Sequence, residues 1–96
     1  MTTKKSKSRK TTLDSRQLAR LGETIGQGLI QKIFDMAAAR GISFPLEFSN
    51  VDAIKREAVQ ALEKAKHLKW DLLSWDRQDS FTSSFLQTMR DAGIVK

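Results

Sequence analysis

A single proline, Pro45, divides this chain, and on both sides of it apolar residues recur every three or four positions. That spacing puts them on one face of an α-helix. Before the proline the series is Leu18, Leu21, Ile25, Leu29, Ile33 and Met36. After it come Val51, Ile54, Ala58, Ala61, Ala65, Leu68, Leu72 and Trp75. Only Phe44, Leu46 and Phe48 alternate with polar or turn residues as a strand would, and one such strand has no partner in the chain. Stripes of this kind are buried by packing against one another. The predicted fold is therefore all-α: a small three-helix bundle with two long helices and one short C-terminal helix.

The first helix has signals at both ends. Asp14 is an N-cap residue with Gln17 at the third helical position, the pattern of a capping box, and Leu13 and Leu18 are spaced for a hydrophobic staple. Gly41 follows the last apolar turn as a left-handed stop, and Ile42 is placed to fold back on Ala37. These signals predict a helix over 15–40. Gly22, Gly26 and Gly28 interrupt it, each at a cost of about 1 kcal/mol relative to alanine. Either they mark a kink, or Gly22 and Gly26, four apart on one face, let another helix approach closely. The alanines at 58, 61 and 65 form a narrow stripe suited to that approach, so the second helix is the expected partner.

Residues 41–50, with Pro45, read as an extended loop packed on the helices, because proline biases Phe44 toward extended backbone. Ser49 is the expected N-cap of a second helix running without Pro or Gly from Asn50 to about Trp75, with a break near Lys69–Asp71 as the alternative. In this reading Trp75 is in phase with the core. Arg77, Gln78, Asp79 and Ser80 then read as a turn. A third helix follows from about Phe81 to Ala92 with Phe81, Phe85, Leu86 and Met89 inward, closed by Gly93 and a contact of Ile94 with Met89.

The charge is unevenly spread. Of 17 lysines and arginines, Lys4, Lys5, Lys7, Arg9 and Lys10 fall in the first thirteen residues, where there is no acid. The other twelve face eleven carboxylates, so the basicity belongs to the N-terminal segment and the body is nearly neutral. Residues 1–12 are too polar to bury anything and read as a disordered basic tail, leaving 13–96 as one helical domain. The chain has no cysteine, which excludes disulfides and thiolate metal sites. No apolar run approaches the roughly 18–20 residues of a membrane span, and the basic N-terminus lacks the apolar stretch of a signal peptide. The expected compartment is the cytoplasm, or the nucleus in a eukaryotic cell.

Little here supports catalysis. His67 is the only histidine and there is no tyrosine. The serines cluster in the tail and turns, with no nucleophile-elbow pattern around any of them. The glycines of GETIGQG lie inside a helical pattern and lack the ending of a phosphate loop. A lone histidine between Lys66 and Lys69 is a poor metal ligand, and no calcium-loop pattern occurs. The expectation is a protein that is not an enzyme and carries no metal or cofactor.

The basic tail is the strongest functional cue. Five cations on a flexible segment suit contacts to phosphate oxygens, which carry no base information; a tail serving only solubility is the plainer explanation. On a helical wheel Lys55, Lys66 and Lys69 flank the apolar stripe of the second helix, with Arg56, His67 and Trp70 further round. Such a strip could follow a nucleic-acid backbone, although flanking lysines also commonly extend their stems over a core. No helix-turn-helix signature marks a sequence-specific reader. The expected function is a non-enzymatic nucleic-acid-binding accessory protein or a small subunit of a nucleoprotein complex. The alternative is a helical protein-interaction module, such as a homodimer, adaptor or inhibitor, with Gly22, Gly26 and Trp70 at the interface. No membrane partner is expected, because no apolar anchor accompanies the tail.

Overall fold

The computed structural model describes residues 13–96 as three α-helices: α1 (Ser15–Arg40), α2 (Phe48–Lys66) and α3 (Trp75–Asp91). A single 3-10 turn, Trp70–Leu72, lies between α2 and α3, and there is no strand among the described residues. The all-α three-helix bundle expected from the apolar spacing is the fold observed. The basic segment 1–12, with Lys4, Lys5, Lys7, Arg9 and Lys10, lies outside the described residues.

α1 begins and ends where its sequence signals place it. The Asp14 side chain accepts from the Gln17 amide at 2.8 Å, and the Gln17 side chain accepts from the Asp14 amide at 3.0 Å, completing the capping box. At the other end Gly41 adopts φ 68° and ψ 31°, and the Ile42 amide donates back to the Ala37 carbonyl. The helix between them is about 39 Å long.

α1 and α3 run parallel, and their contact is the closest in the molecule. The Arg77 guanidinium meets the Leu13 carbonyl, the Ser84 hydroxyl donates to the Ala19 carbonyl, and Gly22 and Gly26 face Phe81, Phe85 and Thr88, so contacts advance together along both helices. A side chain at Gly22 would run into the Phe81 carbonyl oxygen and sit 3.1 Å from the Phe85 amide nitrogen. A side chain at Gly26 would meet Thr88 and Phe85 side-chain atoms at 3.1–3.3 Å, whereas Gly28 faces open space. The glycine pair does serve close helix packing, but the partner is α3 and not the alanine stripe of α2. Of those alanines only Ala58 is buried; Ala65 is exposed. The backbone of α3 occupies the glycine face because Phe81 and Phe85 enter the core on either side of it, which three small alanines could not match in buried apolar area.

α2 returns antiparallel to both. Its start lies beside the end of α1, where Lys32 and Glu57 pair at 3.3 Å, and its end lies near Leu13 and Arg77. Leu18, Leu62, Phe81, Phe85, Met89 and Ile94 are the largest fully buried side chains. Each contributes on the order of 1.5–3 kcal/mol relative to an exposed position. The connector 41–47 packs as expected: Phe44 sets its ring edge-on to Phe34 at 5.1 Å, and the Leu46 amide donates to the Ile94 carbonyl, tying the loop to the C-terminal end of α3.

Three boundaries differ from the sequence reading. α2 starts at Phe48 with Glu47, not Ser49, at the cap, and no side chain caps it. It ends at Lys66 instead of continuing to Trp75, because His67 takes the left-handed conformation (φ 53°, ψ 45°), so the alternative of a break near Lys69–Asp71 is the one observed, beginning two residues earlier. α3 therefore begins at Trp75, capped by Ser74, and residues 77–80 are helical instead of forming a turn. One consequence is that Trp75, expected in the core, is 74% exposed.

Substituting the three α1 glycines one at a time by alanine separates backbone cost from packing. Gly28→Ala should stabilise the protein by about 1 kcal/mol through helix propensity alone. Gly22→Ala should destabilise it by about 2 kcal/mol or more through overpacking against the backbone of α3. Gly26→Ala, which meets only side-chain atoms, should fall between them. Urea midpoints of the three variants give this ranking; a neutral Gly22→Ala would contradict the packing described.

Candidate nucleic-acid interface

Lys55, Arg56, Lys66 and Lys69 do not form one strip. Lys55 and Arg56 lie about 15 Å before the end of α2, beside a shallow trough that also holds Asp52, Glu63 and Asp71. The Arg56 guanidinium is already paired with Asp52 at 3.1 Å. Three carboxylates against two cations make this trough a poor place for a phosphate. Lys66 is the last residue of α2, and Lys69 lies beyond the left-handed His67 at the entry to the 3-10 turn. The helix break thus separates Lys69 from the other three, and Lys66, on the same helix as Lys55 and Arg56 but about 15 Å beyond them, stands at the end of the bundle.

That end is a pinned corner. The His67 and Leu68 amides both donate to the Glu63 carbonyl, closing α2. The Glu63 carboxylate then reaches past the break to accept from the Trp70 amide at 2.8 Å, and the Gln78 side-chain amide donates to the Trp70 carbonyl at 2.9 Å. With both backbone groups held, the Trp70 ring stands edge-on to the buried Phe81 ring at 5.6 Å. Trp70 is therefore a half-buried brace between the corner and α3. Gly22 and Gly26, expected in a partner interface, are buried against α3, while Trp70 stays partly exposed and lines the trough beside Lys55 and Arg56.

Around this corner lies an open hollow whose lining includes Leu13, His67, Lys69, Leu72 and Arg77. Arg77 is half-buried, and its Nε donates to the Leu13 carbonyl at 2.6 Å. The point where residues 1–12 join the folded body is thus held at the rim of the hollow. Residues 64–77 contribute Lys64, Lys66, Lys69 and Arg77 against Asp71 and Asp76. Asp14 and Glu63 also border the corner, both with backbone amides as hydrogen-bond partners. Two large apolar side chains project outward here, Leu72 at 83% and Trp75 at 74% exposure.

Sequence reasoning missed Arg77, Leu72 and Trp75 as surface features because it carried α2 through the break. A signal for the true start of α3 was present. Ser74 is an N-cap type followed by Asp76 in the first turn, and its side chain accepts from the Arg77 amide at 3.4 Å. No group of three His, Cys, Asp or Glu residues among the described residues could hold a metal ion, and no described helix is long and apolar enough to cross a membrane.

The corner rests on a non-glycine residue in a left-handed conformation, which costs roughly 1–2 kcal/mol. His67→Gly removes that cost and adds some freedom to the unfolded chain. The substitution should stabilise the protein by about 0.5–1 kcal/mol, read as a rise in thermal midpoint. Were α2 continuous through this position, the same change would destabilise by about 1 kcal/mol, so the sign of the shift tests the break directly. No protein-family model, curated protein or solved structure matches this chain.

Proposed function

We propose that this protein is a non-enzymatic nucleic-acid-binding accessory protein, or a small subunit of a nucleoprotein complex, that holds phosphates with its basic N-terminal segment and with the corner where that segment joins the bundle. One observation carries the reading. The five cations of residues 1–12 connect to the folded body at Leu13, and Leu13 is tied to Arg77 beside Lys69 and His67. The cations of the N-terminal segment thereby adjoin those of the corner, which favours a polyanion that extends over both. Lys55 and Arg56 play no part in this reading, since their trough carries more carboxylates than cations. Contacts of this kind read phosphate and not base identity, so binding is expected to be independent of sequence.

A second reading, a protein-interaction module, is favoured by a different observation. Phe48 is 85% exposed, and it lies between Leu46 and Asn50, which line an apolar cleft between the second half of α1 and the first half of α2. A protruding ring next to a cleft can be self-complementary across a two-fold axis.

Binding of the full chain and of a version lacking residues 1–12 to duplex DNA across a salt series tests the first reading. The full chain should lose affinity with a log–log slope of about five to seven, about 4.5 of it from five phosphate contacts of residues 1–12, and the shortened chain should bind more weakly with a slope of about one or two. Absence of binding at low salt would remove the nucleic-acid reading. For the second, sedimentation should show a dimer at micromolar concentration that Phe48→Ser returns to monomer; a monomer throughout would remove it.

A further inference from the structure

The exposed pair Trp75 and Leu72 is unusual in its placement, because the chain presents two large apolar side chains at this corner and buries neither. Trp75 is the first residue of α3. Its backbone is fixed by the Ser74 cap and by the Gln78 amide, which donates to the Ser74 carbonyl at 3.0 Å. On the helical wheel it lies about a quarter turn from the face carrying Phe81, Phe85 and Met89, so burial of that face leaves the indole outside. Leu72 is held on the preceding 3-10 turn, whose amides at Leu72 and Leu73 donate to Lys69 and Trp70. An indole has only two side-chain torsions to order, so stacking it on a flat partner costs little entropy.

We propose that Trp75, with Leu72 beside it, is a stacking ledge for unpaired bases, and that the nucleic acid this protein takes is single-stranded. This rests on the nucleic-acid reading and narrows it. Duplex bases are already stacked on one another and offer no free face to a surface tryptophan, whereas every base of a single strand does. Charge complementarity favours the same occupant. The corner itself is balanced, with Lys64, Lys66, Lys69 and Arg77 set against Asp14, Glu63, Asp71 and Asp76, so the excess of positive charge comes from residues 1–12, which leave the body at Leu13 on the rim of the adjoining hollow. Twelve residues extend at most about 40 Å, which is ample for their cations to reach phosphates on either side of a base stacked on Trp75. The carboxylates of Asp71 and Asp76 flank the ledge. Next to a stacked base they can accept from exocyclic amino groups, donors that a phosphatidylserine surface does not present on a flat stacking face. A polyanion with exposed base faces therefore fits this end of the bundle better than a membrane does.

The test compares the full chain with Trp75→Ala, Trp75→Phe and the version lacking residues 1–12. Each is titrated with a fluorescent 12-nucleotide single strand, a 12-base-pair duplex and phosphatidylserine vesicles at fixed low salt. Trp75 is a surface residue, so circular dichroism of Trp75→Ala should match the parent. The expected result is a loss of about 5- to 100-fold in single-strand affinity for Trp75→Ala, with much of it regained in Trp75→Phe, while duplex binding is unchanged. Deletion of 1–12 should weaken both nucleic acids. If Trp75→Ala leaves the single-strand affinity unchanged, or weakens strand and duplex equally, the ledge is refuted while the wider reading stands. If the full chain binds neither nucleic acid, both fall. Binding to vesicles in place of strands, with a blue-shifted tryptophan emission lost in Trp75→Ala, would assign the ledge to a membrane surface and overturn the proposal.

Discussion

The missing side chain at Gly22 is what the rest of this bundle depends on. Because nothing projects there, the backbone of α3 comes into contact with α1. Phe81 and Phe85 then enter the core on either side of the contact, both essentially fully buried. The approach also lets side chains of α3 satisfy or touch the backbone of α1: the Ser84 hydroxyl donates to the Ala19 carbonyl, and Arg77 reaches Leu13. A glycine in a helix interior weakens that helix, and here the lost propensity is offset by aromatic burial that no other residue at 22 would permit.

The parallel pairing of α1 and α3 has a geometric consequence. A chain that runs up α1 and must run up α3 beside it has to come back down through α2 and turn sharply at its end. His67 makes that turn without glycine, through the same left-handed stop and backward amide bond seen after Gly41 and Gly93. The side chain of Glu63 and that of Gln78 then hold Trp70 between them. The bend turns what would have been a core-facing stripe outward, which is why Leu72 and Trp75 stand in solvent beside the point where the basic segment joins. The proposed interface is thus a product of the turn that the packing requires.

Part of this was legible residue by residue. The Asp14–Gln17 capping box and the Gly41 stop give α1 its ends, because local hydrogen bonding and a left-handed glycine need only neighbouring residues. Of the inward set Phe81, Phe85, Leu86 and Met89 read from periodicity, all but the half-buried Leu86 are buried, and the contrast between a basic segment and a neutral body was legible from the charges. The end of α2 was not. His67 carries no turn signal, and Leu68, Leu72 and Trp75 continue the apolar period, so local propensity favoured a longer helix that tertiary packing overruled. Lys69 was separated from Lys55, Arg56 and Lys66 with it, since only its alignment with them depended on that longer helix.

By itself, then, the sequence determined that this chain is helical, where α1 starts and stops, which residues of α3 are buried, and that the positive charge is concentrated before the fold begins. These follow from spacing, capping and charge, each readable within a few residues. Only the tertiary structure decided which helix lies on the glycine face, where α2 breaks, and which tryptophan is exposed. Those outcomes depend on the comparative burial of aromatic and alanine faces brought together from distant parts of the chain, and no local pattern encodes that comparison.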